Sequence, residues 1–165
     1  EQSLFKRMQD NGYPVTLLTT QYRMHPEIRR FPSSQFYHNS LQDAPGLDIR
    51  PCKLHDTFMP YLFINIPSSE DGQHSKRNKT EARVVVQLLR LVHRQHGVRN
   101  SSIGVITPYK DQLTEIKKQL EALKGGAEAE DTAWSKFDWA SNIQTIDGFQ
   151  GCERDFIIFS CVRTV

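Results

Sequence analysis

Cysteine is scarce, with only Cys52, Cys152 and Cys161 scattered over 165 positions. An odd number without zinc spacing carries no disulfide framework and no structural zinc site, so reduced thiols of the nucleus or cytosol are expected. A strong charge of one sign is also missing. The net charge is +2 and the pI about 8.5, so any basic surface for nucleic acid has to come from local arrangement. No apolar run reaches membrane-spanning length and no signal-peptide pattern opens the chain, so no membrane partner is expected. Of six histidines only His93 and His96 share a helix face, and no carboxylate or cysteine joins them in the pattern, so no metal ligands are assigned. Cys152 has no histidine partner that would make it a nucleophile. No Gly-x-x-x-x-Gly-Lys-Ser/Thr string occurs, so nothing here cradles β- and γ-phosphates. Nor does an Asp-Glu pair suited to Mg²⁺ follow an apolar strand. Repeats and low-complexity tracts are absent.

What remains is an ordinary globular composition, 38% apolar and 24% charged, in a length suited to one domain. Residues Ser3 to Gln9 suggest a short amphipathic helix, and Val15 to Thr20 a short buried strand. Pro26 starts a helix that Pro32 is expected to interrupt. The stretch Gln42 to Pro60, rich in Pro, Gly and Asp, suggests irregular surface. Tyr61 to Ile66 is expected to be a strand, followed by a polar loop from Ser68 to Lys79, which is mobile or functional. A helix from about Thr80 to His96 opens on an Asn78/Glu81 capping pair and stops at Gly97. Strands follow at Ile103 to Ile106, Asn142 to Ile146 and Phe156 to Val162, with a helix through Leu113, Ile116, Leu120 and Leu123 and a loop over Ala127 to Ser135. Strands that are apolar on both faces and alternate with helices imply an α/β fold, a mostly parallel sheet with helices on each side.

Three stretches carry chemistry. Gln21-Tyr22-Arg23-Met24-His25-Pro26-Glu27-Ile28 follows a strand and precedes a helix, the place where ligands bind in open α/β sheets. Arg23 brings a fixed charge and a planar fork of donors suited to phosphate, and Tyr22 a ring that can stack on a base or sugar. An isolated Tyr-Arg pair is equally a core aromatic beside a solvated charge. In Ile143 to Asp155, Gly148 and Gly151 permit positive φ and close approach to an anion, Glu153 can accept from ribose hydroxyls, and Thr145 can meet a phosphate. The alternative is a tight turn with a solvated glutamate. In Thr107-Pro108-Tyr109-Lys110, Tyr109 can stack on a base while Thr107 and Lys110 meet phosphates, or Pro108 simply starts a helix.

The string Gln21 to Pro26 resembles motif IV of superfamily 1 helicases, in the up-frameshift and senataxin-like branch, and Phe31-Pro32-Ser33 continues the likeness. Ile143 to Asp155 resembles motif V of the same branch, and Thr107-Pro108-Tyr109 a third element that lies along the bound strand. The resemblance covers nearly the whole chain. It implies a three-layer RecA-like fold and, since motif VI would lie just past Val165, the second RecA-like domain over residues 1–165. It also implies that Arg23 reaches the γ-phosphate and that Tyr22 and Glu153 hold base and sugar, with Gln21 beside them and Gly151 at close backbone approach. Thr107, Tyr109, Lys110 and Thr145 line single-stranded RNA or DNA.

By the same resemblance the cofactor is ATP with Mg²⁺, the metal held mainly by a first RecA-like domain elsewhere in the same chain. The abrupt start and close lead us to expect an excised piece of that longer protein. The whole is then an ATP-dependent helicase, a 5′-to-3′ translocase of the nucleus with the cytoplasm as the alternative, acting on single strands or an RNA–DNA hybrid. The piece alone is expected to be inactive as an ATPase. A non-catalytic RecA-like module for nucleic-acid or protein interaction is the rival reading.

Overall fold

The computed structural model describes residues 2–47, 58–72, 74–96, 102–124 and 138–163. Gly97, Cys52 and the expected loop from Ala127 to Ser135 lie outside the described residues. The chain packs as two compact units, Glu1–Leu62 and Phe63–Val165.

In the first unit, α1 (Leu4–Asp10) is capped by the Ser3 hydroxyl, which accepts from Lys6 N. The chain then runs extended into β1 (Thr20–Gln21), α2 (Pro26–Phe36) and β2 (Gln42–Asp43). β1 and β2 pair in parallel, Thr20 with Gln42 and Gln21 with Asp43. The expectation of a buried strand from Val15 fails. Only Thr20 and Gln21 join a ladder, and Val15 and Leu18 are exposed. Their β-branched, apolar character is satisfied by extended backbone alone, and burial requires a neighbour that the pattern does not supply.

The expected break at Pro32 does not occur either. A proline inside a helix removes one backbone hydrogen bond and costs about 3 kcal/mol, yet α2 runs through it. The helix is tied to the β2 segment on both sides of the proline. Before it, the Arg29 guanidinium donates to the Asp43 carboxylate and the Leu41 carbonyl; after it, the buried Ser33 hydroxyl accepts from Leu41 N. The stretch after Ser40 is likewise more than irregular surface, because it forms β2 and buries Leu41, Ala44 and Leu47.

The second unit carries a three-stranded parallel sheet in the order β4-β3-β5, from β3 (Ile103–Thr107), β4 (Ile143–Thr145) and β5 (Phe156–Phe159). Central β3 is buried at four of its five positions, as a strand paired on both edges should be. The sheet is flanked by α3 (Lys79–His96), α4 (Lys110–Lys124) and the short α5 (Trp139–Asn142). α3 buries Ala82, Val85, Val86, Leu89 and Val92, one stripe at helical spacing, and α4 buries Ile116 and Leu120. Parallel strands with flanking helices make this the RecA-like α/β fold expected.

Tyr61 to Ile66 is not a strand. It has no ladder partner among the described residues, and Tyr61 and Phe63 stand exposed. In the polar loop before α3, Asp71 and Arg77 form an isolated antiparallel bridge. Asp71 and Arg77 exchange two backbone hydrogen bonds at 2.8 and 2.9 Å, and the Ser75 hydroxyl accepts from Asp111 N at the start of α4. Gly72, at φ +109, is required there, since a Cβ would lie 2.1 Å from the Ser75 carbonyl oxygen.

The capping pair at α3 is half realised. Asn78 Oδ1 accepts from Glu81 N at 3.0 Å, but Asn78 N donates to Gln112 Oε1 instead of to Glu81. Glu81 turns inward, accepting from the Ser160 hydroxyl at 2.7 Å and from Val162 N on both carboxylate oxygens. It thereby holds Val162, a buried β-branched residue, at φ +71.

Candidate functional site

Two loop clusters carry the residues singled out from the sequence, one in each unit. In the first unit the loop after β1 is built around the Gln21 amide. Its Oε1 accepts from Arg23 N at 2.9 Å and Met24 N at 2.7 Å, while its Nε2 donates to the Met24 carbonyl at 2.8 Å and Asp43 Oδ1 at 2.6 Å. A primary amide has two donor hydrogens and two acceptor lone pairs, and all four are engaged. Gln21 therefore shapes the loop and keeps no hydrogen-bonding capacity for a ligand.

The loop then turns outward. Tyr22 is 74% exposed and Arg23 is also on the surface. His25 caps α2 in an extended conformation (φ −58°, ψ 144°), its Nδ1 accepting from Glu27 N, and Pro26 takes the first helical position. The strand-loop-helix order expected here is present, with Tyr22 and Arg23 at the carboxyl end of a parallel strand. Asp43 anchors the arrangement. Burial pushes its carboxyl up, but hydrogen bonds from Gln21 and Arg29 and the nearby Arg29 charge bring it below the ordinary carboxylate range.

In the second unit, β3 and β4 end in register at Thr107 and Thr145, and Ile146 N donates to the Thr107 carbonyl. The two following segments, Pro108 to Lys110 and Ile146 to Asp155, therefore leave the same carboxyl edge of the sheet. Lys110 is exposed and Tyr109 half-buried. Thr107 is fully buried, and its hydroxyl accepts from Tyr109 N at 3.4 Å. The Thr145 hydroxyl accepts from Gly148 N at 3.2 Å and retains its own proton to donate.

The two glycines differ. Gly151 sits at φ +80 with open space where a Cβ would point, so backbone conformation alone demands glycine and the chain there is open to close approach. Gly148 is not in the left-handed region; it is small because a Cβ would come within 3.2 Å of Gln144 Oε1 and Thr145 Oγ1. Glu153 is exposed on the same loop.

Two features in and beneath this loop escaped the sequence. Arg154 stacks over the Phe149 ring at 5.5 Å and donates to Asn142 Oδ1 and the Glu153 carbonyl. Beneath the pair lies Gly104 of β3, where a Cβ would meet Phe149, Arg154 and Ile157 at 3.0–3.1 Å. A lone glycine in a buried strand signals a close approach, and that was the only available hint. Of the thiols, Cys152 and Cys161 are free and exposed, and burial with the Glu81 charge pushes Cys161 up. Among the described residues, no three His, Cys, Asp or Glu side chains are grouped to hold a metal ion, and no helix is long and apolar enough to cross a membrane.

A family profile described as an AAA domain matches residues 1–165. Helicase SEN1 of Saccharomyces cerevisiae is 38% identical over 172 residues, covering 98% of this chain and 7% of its own length. Probable helicase MAGATAMA 3 of Arabidopsis thaliana is 39% identical, over 98% of this chain and 20% of its length. The Regulator of nonsense transcripts 1 homolog of Drosophila melanogaster is 33% identical, over 99% of this chain and 14% of its length. The chain thus spans a fifth or less of each of these relatives.

Proposed function

The chain belongs to the AAA domain family, among superfamily 1 helicases of the Sen1, senataxin and nonsense-transcript-regulator kind, and from that premise we propose that it is the second motor domain of an ATP-dependent RNA/DNA helicase. The observation that carries the reading is the Tyr22–Arg23 pair, held outward at the end of a parallel strand by a saturated Gln21 amide.

Each unit, taken by itself, carries groups suited to an adenosine nucleotide: in the first, Tyr22 offers a stacking face, and in the second, the open backbone at Gly151 allows close approach and Glu153 offers an acceptor for ribose hydroxyls. ATP, when bound, supplies the phosphoanhydride whose cleavage drives the motor, with Mg²⁺ held mainly by the first RecA-like domain. Arg23 sets a fixed, planar cation against the γ-phosphate from the side opposite a Walker loop on that domain. A guanidinium at that place would stabilise charge that develops on the phosphoryl oxygens. Tyr109, Lys110 and Thr145 supply stacking and phosphate contacts to a single strand. They stand on one rigid sheet edge, so closure and opening of the two motor domains carries the strand contacts as a body, stepping 5′ to 3′.

The test is ATP hydrolysis stimulated by single-stranded RNA or DNA in the longer protein that carries this domain, wild type beside Arg23→Ala. The expected result is a turnover loss of about 10³–10⁵-fold with nucleotide affinity largely kept. Unchanged turnover would leave a RecA-like interaction module that does no chemistry through Arg23.

A further inference from the structure

The Gln21 amide that holds the Arg23 backbone is itself held by two residues that neither motif contains. The Gln21 amide can sit only one way round. Its oxygen must face the Arg23 and Met24 N–H groups, and its NH₂ must face the Met24 carbonyl and Asp43 Oδ1, because a flip would set donors against donors. Asp43 Oδ1 takes a second bond from Arg29 Nε at 2.8 Å, and Arg29 is fixed further by the Leu41 carbonyl at 3.0 Å. The backbone adds to this, since Gln42 N donates to the Thr19 carbonyl and Ala44 N to the Gln21 carbonyl. The Arg29 and Asp43 side chains are only 22% and 17% exposed, so their bond is better shielded from water than a surface ion pair.

We propose that Asp43 and Arg29 are positioning residues for Arg23, acting through Gln21, and that Gln21 belongs with them and not with the nucleotide contacts. The inference rests on the reading of Arg23 as the residue that meets the γ-phosphate. Without the Asp43 acceptor the Gln21 amide loses the side-chain bond that ties it to β2, the loop it holds through Arg23 N and Met24 N loosens, and the Arg23 Cα shifts relative to the phosphate. A misplacement of about 1 Å in such a group costs on the order of a hundredfold in rate.

A double-mutant cycle on ATP turnover in the longer protein tests this, with Asp43→Ala, Arg23→Ala and both together. Asp43→Ala alone is expected to lower kcat about 10–100-fold while KM for ATP stays within about threefold. In the Arg23→Ala background the same change is expected to add less than about twofold, because there is no longer an arginine to position. Asp43→Asn keeps an oxygen at the same place and is expected to recover most of the loss. Arg29→Met, at the half-buried end of the chain of contacts, gives a second approach if Asp43→Ala does not fold, with a kcat loss of about threefold or more that again vanishes in the Arg23→Ala background.

Additive losses overturn the inference and leave Asp43 a structural residue, as does an Asp43→Ala enzyme with normal kcat. An Arg23→Ala enzyme that itself turns over normally overturns the underlying reading, and the inference with it. That outcome is told apart by the Arg23 single variant alone.

Discussion

The Gln21 amide donates to the Asp43 carboxylate at 2.6 Å across a two-residue parallel ladder in which the two residues are register partners. Pairing across so short a ladder is normally weak, and here side chains reinforce it. Burial disfavours the Asp43 charge, but the Gln21 and Arg29 hydrogen bonds outweigh it and the carboxyl titrates lower than in the unfolded chain. A carboxylate depressed on folding contributes stability that is present above the unfolded value near pH 4 and lost as pH falls through the folded value. The stability difference between wild type and Asp43→Asn is therefore expected to stay constant from about pH 7 to pH 5 and to shrink below about pH 4. Urea unfolding over a pH series measures it, and a difference unchanged down to strongly acidic pH contradicts the assignment.

Gly151 is a conformational requirement with no packing component. A Cβ there meets nothing within 4 Å, yet φ is +80. Gly151→Ala is expected to destabilise by about 1–2 kcal/mol and Gly151→Asn by less, because asparagine tolerates the left-handed region. Chemical denaturation of the two variants gives the order; equal effects would mean that the loop relaxes to a different backbone.

Gly104 is the opposite case, a matter of space. Its Cβ position is crowded by Phe149, Arg154 and Ile157 at 3.0–3.1 Å. Gly104→Val is expected to cost about 1–3 kcal/mol by overpacking, with Gly104→Ala costing less because side-chain ends can yield by a few tenths of an ångström. Since the displaced residues flank Gly151 and Glu153, fluorescent-nucleotide affinity in the longer protein is expected to fall along with stability. Affinity that holds while stability drops would separate the Phe149–Arg154 stack from the nucleotide loop.

Glu81 supports a strained neighbour. Its carboxylate accepts from Ser160 and twice from Val162 N, and Val162 is wholly buried at φ +71. Glu81→Ala strips a buried amide and hydroxyl of their acceptor, at about 1–3 kcal/mol for each group left unsatisfied. Glu81→Gln keeps one oxygen and is expected to recover part of that. Thermal melts of both variants decide the point, and indistinguishable melting would show that water takes the place of the carboxylate.

The long elements were legible in the sequence because each rule that predicts them is local. α3 follows from an Asn78 cap and a Val/Leu stripe, α4 from Leu and Ile at helical spacing, and β3 from a short apolar run bounded by polar residues. Val15 to Thr20 and Tyr61 to Ile66 went wrong for a shared reason: apolar, β-branched composition reports a willingness to extend, whereas a strand exists only where another strand offers its backbone. The local rule fails at Pro32 because its cost is local while its compensation, Arg29 and Ser33 bonding to Leu41 and Asp43, spans up to fourteen positions of sequence.

The sequence by itself determined the family, the α/β order and the two motif loops, since these depend on residue identity at fixed spacing. Tertiary structure alone decided which of the motif residues face outward. Tyr22 and Arg23 are exposed while Thr107 is buried and Gln21 is consumed by the loop, a distinction no spacing encodes. It alone also brought in Asp43, Arg29 and Gly104. Those residues matter through partners brought near by pairing and packing, and which backbone donor ends up opposite which acceptor is settled only when the chain closes on itself.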